Sequence, residues 1–326
     1  MSGPVTPVDA PADPEVTPPE DHPCIEFIPS HDALVGEVRV RRALPQRTRR
    51  SVGAWCFVDH MGPAMVTEQR GVDIGPHPHI GLQTVTWVIE GEILHRDSLG
   101  SEQVIRPGQL NLMTAGHGVS HAEEATGGYR GVLHGVQLWV AQPGATRDGP
   151  PVFEHHAVLP VLELENGAGS VIVGQLGDVT SPARRDSDHV GADLDLHHGT
   201  SVVPLDPKAE YALVVVEGAV RVGAREVEPG GLGYLGTGRD ELALTVTATA
   251  RALLIGGIPL DEPLLMWWNF VARTRDEISD AYEDWNAATE RFGTVDSRLA
   301  RIPSDPPLWH RRAHSILEDE PGSATA

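Results

Sequence analysis

Two cysteines, Cys24 and Cys56, are all the sulfhydryl chemistry in 326 residues. That excludes a disulfide framework and a cysteine-type zinc site, and it points to a reducing, cytoplasmic home. Lysine is nearly absent: Lys208 stands alone among 25 basic residues, against 46 acidic ones and a net charge of −21. Affinity for nucleic acid comes mostly from Lys and Arg neutralising phosphates, so the balance has the wrong sign for a dedicated nucleic-acid binder. Arginine in place of lysine, with abundant Gly, Ala and Pro, suggests a bacterium with G+C-rich DNA. No run of 18 apolar residues occurs, which excludes a helical membrane span. The first residues have neither a basic start nor an apolar stretch, so no signal peptide is expected. A content of 40% hydrophobic and 22% charged residues is that of a globular chain and excludes collagen-like, coiled-coil and wholly disordered readings. At roughly 150 residues per domain, two domains are predicted.

Residues 1–23 hold seven prolines, five acids and no Lys or Arg. Such a segment buries too little apolar surface to offset its ordering entropy, and a disordered tail is predicted. From about Thr294 the chain reads as an irregular extension, in which Leu308, Trp309, Ile316 and Leu317 are able to pack. Between the tails lie short runs rich in β-branched and aromatic residues, such as 82–89, 135–140 and 211–216, punctuated by Gly and Pro. Many short strands with turn signals predict an all-β sandwich or barrel.

An internal echo sets the domain count. Residues 88–93, Val-Ile-Glu-Gly-Glu-Ile, resemble 215–220, Val-Val-Glu-Gly-Ala-Val. Downstream, Arg106-Pro107-Gly108-Gln109-Leu110 resembles Glu228-Pro229-Gly230-Gly231-Leu232. The same strand–turn–strand unit is thus used twice, giving a first domain over 24–142, a second over 151–293 and an extension over 294–326. One helix is clear. Thr274 and Glu277 form a capping box, Ile278, Ala281, Tyr282, Trp285, Ala288 and Phe292 fall on one face, and Gly293 is placed to close it.

His77-Pro78-His79 puts two imidazoles at i and i+2, on the same side of an extended chain. Pro78 keeps His77 extended. His121-Ala122-Glu123 repeats the arrangement about 40 residues on. Three imidazoles and a carboxylate from neighbouring strands make a mixed N/O site for a divalent metal. A lone His-x-His is often chance, but the echo offers a control. Counted from Gly218 and Leu232, the matching positions are Pro204, Asp206, Ala243 and Thr245, so the second copy keeps the scaffold and lacks the ligands. The arginines Arg39, Arg41, Arg42, Arg47, Arg49 and Arg50 resemble a nucleic-acid patch; in so acidic a chain, pairing with local acids is the expectation. Trp55, Phe57, Met61, Trp87 and Met113 are expected mostly in the core, with one or two lining a cavity.

These residues resemble the pirin family of the cupin superfamily. The matching stretches are Arg41–Pro45, Phe57–Pro63, His77–Leu82, Gly91–Gly100 and Met113–Glu123, with Gly257–Pro263 and Phe270–Ile278 late in the chain. The resemblance covers roughly residues 25–293. It implies two cupin (jelly-roll) β-barrels face to face, with a C-terminal helix and metal in the first barrel only. It implies that His77, His79, His121 and Glu123 bind one metal, Fe(II) or else Mn, Ni, Cu, Co or Zn. Leu112 departs from the tryptophan usual in the family and predicts a reshaped pocket wall. Gln83 stands where many other cupins carry a ligand Glu. His60, His95 and His117 are candidates to orient the ligands.

Two functions follow from the resemblance. Some pirin-like proteins are oxygenases that cleave flavonols such as quercetin with O2 and release carbon monoxide; here Glu123 is the expected catalytic base. Others are regarded as iron-dependent regulators that bind a transcription factor or a metabolic enzyme. A deep apolar cavity opening onto the metal favours the first, and a closed or shallow site favours the second.

Overall fold

The computed structural model describes residues 25–35, 38–67 and 73–310. The tail expected to be disordered, residues 1–23, and the apolar pair Ile316 and Leu317 lie outside the described residues. The strands of the described chain pair antiparallel and form two barrels set back to back against a shared core.

In the first half, a seven-stranded sheet runs in the order Val152–His156, Leu110–Thr114, Leu82–Glu90, Gly131–Ala141, Trp55–Val66, Val38–Leu44 and His31–Val35. A four-stranded sheet, Ile74–His79, Val119–Glu124, Ile93–Asp97 and Glu102–Ile105, closes the barrel. Val40, Met61 and Val88 from the first pack against Ile74, Ile93 and Ile105 from the second. The second half is one nine-stranded sheet. Its long strands His189–Pro204 and Glu241–Gly257 pair along most of their length, with a register shift between His197 and Gly199. The halves exchange edges. Glu26–Pro29 pairs with Gly231–Gly236 in the second half, and Val152–His156 pairs with Leu110–Thr114 in the first. Each exchange covers a strand edge otherwise open to pairing with other chains.

Strand 82–90 is buried on both faces because it lies between the first barrel's interior and the second barrel. Val85, Trp87, Val136 and Leu138 meet Val173, Val214, Leu253 and Ile255 in the core between the halves. A buried indole needs a partner for its N–H. Trp55 Nε1 donates to the Val190 and Gly256 carbonyls at 3.0 and 3.1 Å, and Trp87 Nε1 donates to Asp193 at 2.8 Å. Alternation along strand 110–114 turns Leu110 and Leu112 to this core and Met113 to the other face. Leu112 therefore does not shape the pocket wall, contrary to the sequence expectation.

The helix spans Arg275–Asn286, capped by Thr274 Oγ1, which accepts from Glu277 N at 3.2 Å. It buries Ile278, Ala281 and Trp285. It ends earlier than the apolar stripe predicts, because Ala288 takes a positive φ of 53°. Gly293 closes the short turn Glu290–Phe292 instead. Together with the hairpin Leu265–Trp267 and Phe270–Ala272, the helix packs on Ile80, the residue after His79. Gly81 makes that approach possible: a Cβ there would sit 2.2 Å from the Val271 carbonyl oxygen. The end of the described chain thus wraps the first barrel where its histidines are.

Candidate metal centre

His77 and His79 lie on one strand, and His121 pairs directly opposite His77 on the next. The three side chains converge: one ring nitrogen from each lies within 4.8 Å of the others, and all three residues are buried. His79 Nε2 and His121 Nε2 are 3.1 Å apart. Each Nδ1 is engaged elsewhere, His77 with the Gly75 carbonyl at 2.9 Å, His79 with the Asn269 carbonyl at 3.1 Å and His121 with His95 Nδ1 at 3.4 Å. A carbonyl only accepts, so Nδ1 of His77 and of His79 carries the proton and Nε2 presents a lone pair.

His121 Nδ1 faces a ring nitrogen instead; when it donates to His95, Nε2 of His79 and Nε2 of His121 present lone pairs 3.1 Å apart, which a cation between them would satisfy. Nitrogens bound at about 2.1 Å to one metal, at right angles, lie about 3.0 Å apart. Burial pushes His77 down to about 4 and holds His79 and His121 well below the ordinary imidazole range. All three stay neutral near pH 7, as metal ligation requires. The residues present fit a divalent transition metal.

Glu123 opens into the same cavity but is not among the three converging groups. Its Oε1 accepts from Thr86 Oγ1 at 3.5 Å, and that hydroxyl also reaches Gln137 Oε1 at 3.0 Å. Burial pushes its carboxyl up to about 7, only partly opposed by Thr86. No cation of the described protein is hydrogen-bonded to it.

Of the three candidate orienting histidines, only His95 touches a ligand. Its Nε2 meets Asp97 at 3.1 Å, and its ring stacks on Phe153 at 4.4 Å. Burial opposes ionisation of Asp97, but hydrogen bonds from His95 and Ser101 hold its carboxyl below the usual range. Asp97, His95 and His121 form a directed chain in which carboxylate acceptance fixes one ring and that ring fixes the next. Asp97 lies two residues from His95 on a strand, a spacing that marks a shared face. His60 instead pairs with His134 at 2.7 Å, away from the ligands, and His117 is exposed beside the Gly149 carbonyl. Gln83 is fully buried and donates to Thr114 Oγ1.

The histidines line a cavity of about 450 Å³ with aromatic and aliphatic walls. Phe57 and Trp139 stack at 4.0 Å, and Trp139 meets His79 edge-on at 5.2 Å. Arg42 lies 4.5 Å over Phe57 and grips Asp59 with two hydrogen bonds of 2.8 and 2.7 Å. Asp59 is buried, which raises its pKa against the pull of Arg42. Arg39 pairs with Asp32 and Arg49 with Glu26, so these arginines are engaged with local acids. Met61 and Trp268 also line the wall, the latter at a positive φ of 52°. Trp55 and Trp87 lie in the core between the halves, and Met113 packs with Cys56 and Phe57.

The second half shows what the same frame does without ligands. Arg221 pairs with Thr245 there as Leu94 pairs with Glu124 in the first half. Val203 pairs with Leu242 as His77 pairs with His121. The residues matching His77, His79, His121 and Glu123 are therefore Val203, Leu205, Leu242 and Leu244. All four belong to or pack on an aliphatic core. Counting from the turns lands one residue off, at Pro204, Asp206, Ala243 and Thr245, because the intervening turns differ by one residue in each direction. A one-residue shift exchanges the inner and outer faces of a strand.

A bicupin with three converging imidazoles in one barrel is the class that this fold and site define. Residues 37–140 match the Pirin family, and residues 191–293 match the Pirin C-terminal cupin domain. The chain belongs to the pirin family. It is 46% identical over 274 residues to a Pseudomonas aeruginosa protein named "Putative quercetin 2,3-dioxygenase", covering 84% of this chain and 87% of that one. It is 34% identical over 269 residues to a pirin-like protein of Caulobacter vibrioides, covering 80% and 93%. Among solved structures, a quercetin 2,3-dioxygenase from Acinetobacter baumannii matches with a TM-score of 0.84 at 43% identity, covering 86% of this chain and 95% of that one. Among the described residues, no helix is long and apolar enough to cross a membrane.

Proposed function

We propose that the protein is a flavonol 2,3-dioxygenase of the quercetinase type, with Fe(II) held by His77, His79, His121 and Glu123. The observation that carries this reading is the convergence of three neutral imidazoles on a cavity walled by stacked aromatics. Its volume of about 450 Å³ suits a small ligand, since such sites run from about 300 to 1,000 Å³. The similarity to a solved quercetin 2,3-dioxygenase supports the same substrate class.

Bound iron supplies Lewis acidity to the flavonol 3-hydroxyl and a redox partner for O2. The chain's own residues supply the rest. Phe57 and Trp139 offer flat faces to the flavonol rings, and the apolar wall limits the water that reaches them. Glu123 takes the 3-hydroxyl proton. Burial alone pushes its carboxyl up to about 7. A cation beside it lowers that value and the hydroxyl's together, so the transfer stays feasible. A cavity that reaches the histidines past Phe57, Met61, Trp139 and Trp268 supports the oxygenase over a regulator with a closed site.

The test is to load the protein anaerobically with Fe(II), add quercetin and admit O2. Loss of the flavonol absorbance with release of carbon monoxide is expected. Inertness towards several flavonols with several metals contradicts the reading and favours the regulator.

A further inference from the structure

The family matches end at Gly293, yet the chain after it is built into the site. Residues 295–304 run as an irregular strap across both strands that carry the histidines. Ser297 Oγ donates to Glu124 Oε1 at 2.6 Å, and Arg298 reaches Glu124 at 3.1 Å and also binds Asp73. Glu124 adjoins Glu123 and is itself buried. Farther on, Ile302 N donates to the carbonyl of Pro76, next to His77, at 2.9 Å. The Ile302 carbonyl accepts from Trp285 Nε1 at 2.9 Å. Gly75 records how close the strap passes. Its φ is ordinary, but a Cβ there would sit 2.1 Å from the Ala300 carbonyl oxygen. Glycine is needed at 75 because another chain segment occupies the space.

Both backbone groups of Ile302 are thus pinned, and its side chain has one place to go. It packs against the cluster that contains Met61 and Ile74 and lines the same cavity as His77, His79 and His121. We infer that Ile302 is a specificity-determining residue: it sets the width of the metal cavity and so the size of the molecule that reaches the three imidazoles. A single aliphatic side chain in an apolar pocket discriminates ligands by about 10- to 200-fold. The strap gives this chain a cavity wall that the two barrels alone do not supply. The inference takes the metal from the proposed function, but not the flavonol.

The experiment compares wild type, Ile302→Ala and Ile302→Trp, each loaded with one equivalent of Zn(II) and matched for thermal stability. Two probes are used. One is the rate at which the flat chelator 4-(2-pyridylazo)resorcinol strips the zinc. The other is anaerobic binding of 3-hydroxyflavone and of its bulkier 4′-phenyl derivative, read from the absorbance of the bound anion. Ile302→Ala is expected to speed stripping and tighten the bulkier flavonol by about tenfold, and Ile302→Trp to slow stripping and weaken 3-hydroxyflavone by about as much. If no protein binds a flavonol but the stripping rates still rank Ala above wild type above Trp, the substrate reading fails and the role of Ile302 stands. Equal stripping rates in all three, with unchanged flavonol preference, overturn the inference.

Discussion

His79 Nε2 and His121 Nε2 lie 3.1 Å apart, while their Nδ1 atoms are committed, one to the Asn269 carbonyl and the other to His95. Two neutral rings held this way have no proton to share between them once His95 accepts from His121. On the proposed reading, the site is organised for a cation before one arrives. This preorganisation makes the groups behind the ligands as consequential as the ligands.

His95 and Asp97 provide the first test. His95→Phe keeps a flat ring against Phe153 and removes the acceptor for His121 Nδ1. Metal affinity should fall by about 10- to 100-fold, as for other partners of metal-bound histidines, with little change in melting temperature. Asp97→Asn should produce a smaller loss. Competition with a chelator measures both, and the visible spectrum of the Co(II) form reports the altered field. Unchanged affinity and spectrum in both variants contradict a positioning role.

Glu123→Gln keeps size and an acceptor oxygen but removes the charge. At matched Fe(II) content, quercetin consumption should slow by about 10²- to 10⁴-fold. Turnover at the wild-type rate makes Glu123 a ligand at most and moves the base elsewhere.

Stability should depend on acid through a histidine remote from the metal. Burial holds His189 down to about 4, with its ring edge-on to Trp55. An unfolded histidine titrates near about 6.5. The folded chain binds fewer protons between these values, so the contribution of His189 is complete above about pH 6.5 and is lost as pH falls towards 4. The slope from this one group approaches about 1.4 kcal/mol per pH unit. Denaturant midpoints at pH 7, 6 and 5 should show a shallower decline in His189→Gln than in wild type. Identical slopes contradict the assignment.

The fold and the histidines were legible because both rest on local pattern. Strand periodicity and Glu-Gly and Pro-Gly turns give a repeated all-β unit, the family resemblance makes that unit a cupin barrel, and His-x-His on an extended chain gives a shared face. What the pattern hides is where separate segments meet. A backbone carbonyl such as that of Asn269 carries no sequence signature, so its bond to His79 is invisible until the hairpin is folded. Trp268 and Ile302 come to the cavity from beyond the first barrel for the same reason. Leu112 departs from the expectation because only the pairing of the two halves shows which face of its strand is the pocket. The ligand positions of the second half were missed by one residue because turn length, unlike turn type, differs between the copies.

The central claim is one metal per chain, bound in the first barrel by His77, His79 and His121 with Glu123. Elemental analysis after metal loading and desalting tests it most directly, on wild type, His79→Ala and, for the second barrel, Val203→Ala. The account predicts close to one equivalent in wild type and in Val203→Ala, and close to none in His79→Ala. Two equivalents in wild type, or a full equivalent retained by His79→Ala, would contradict it.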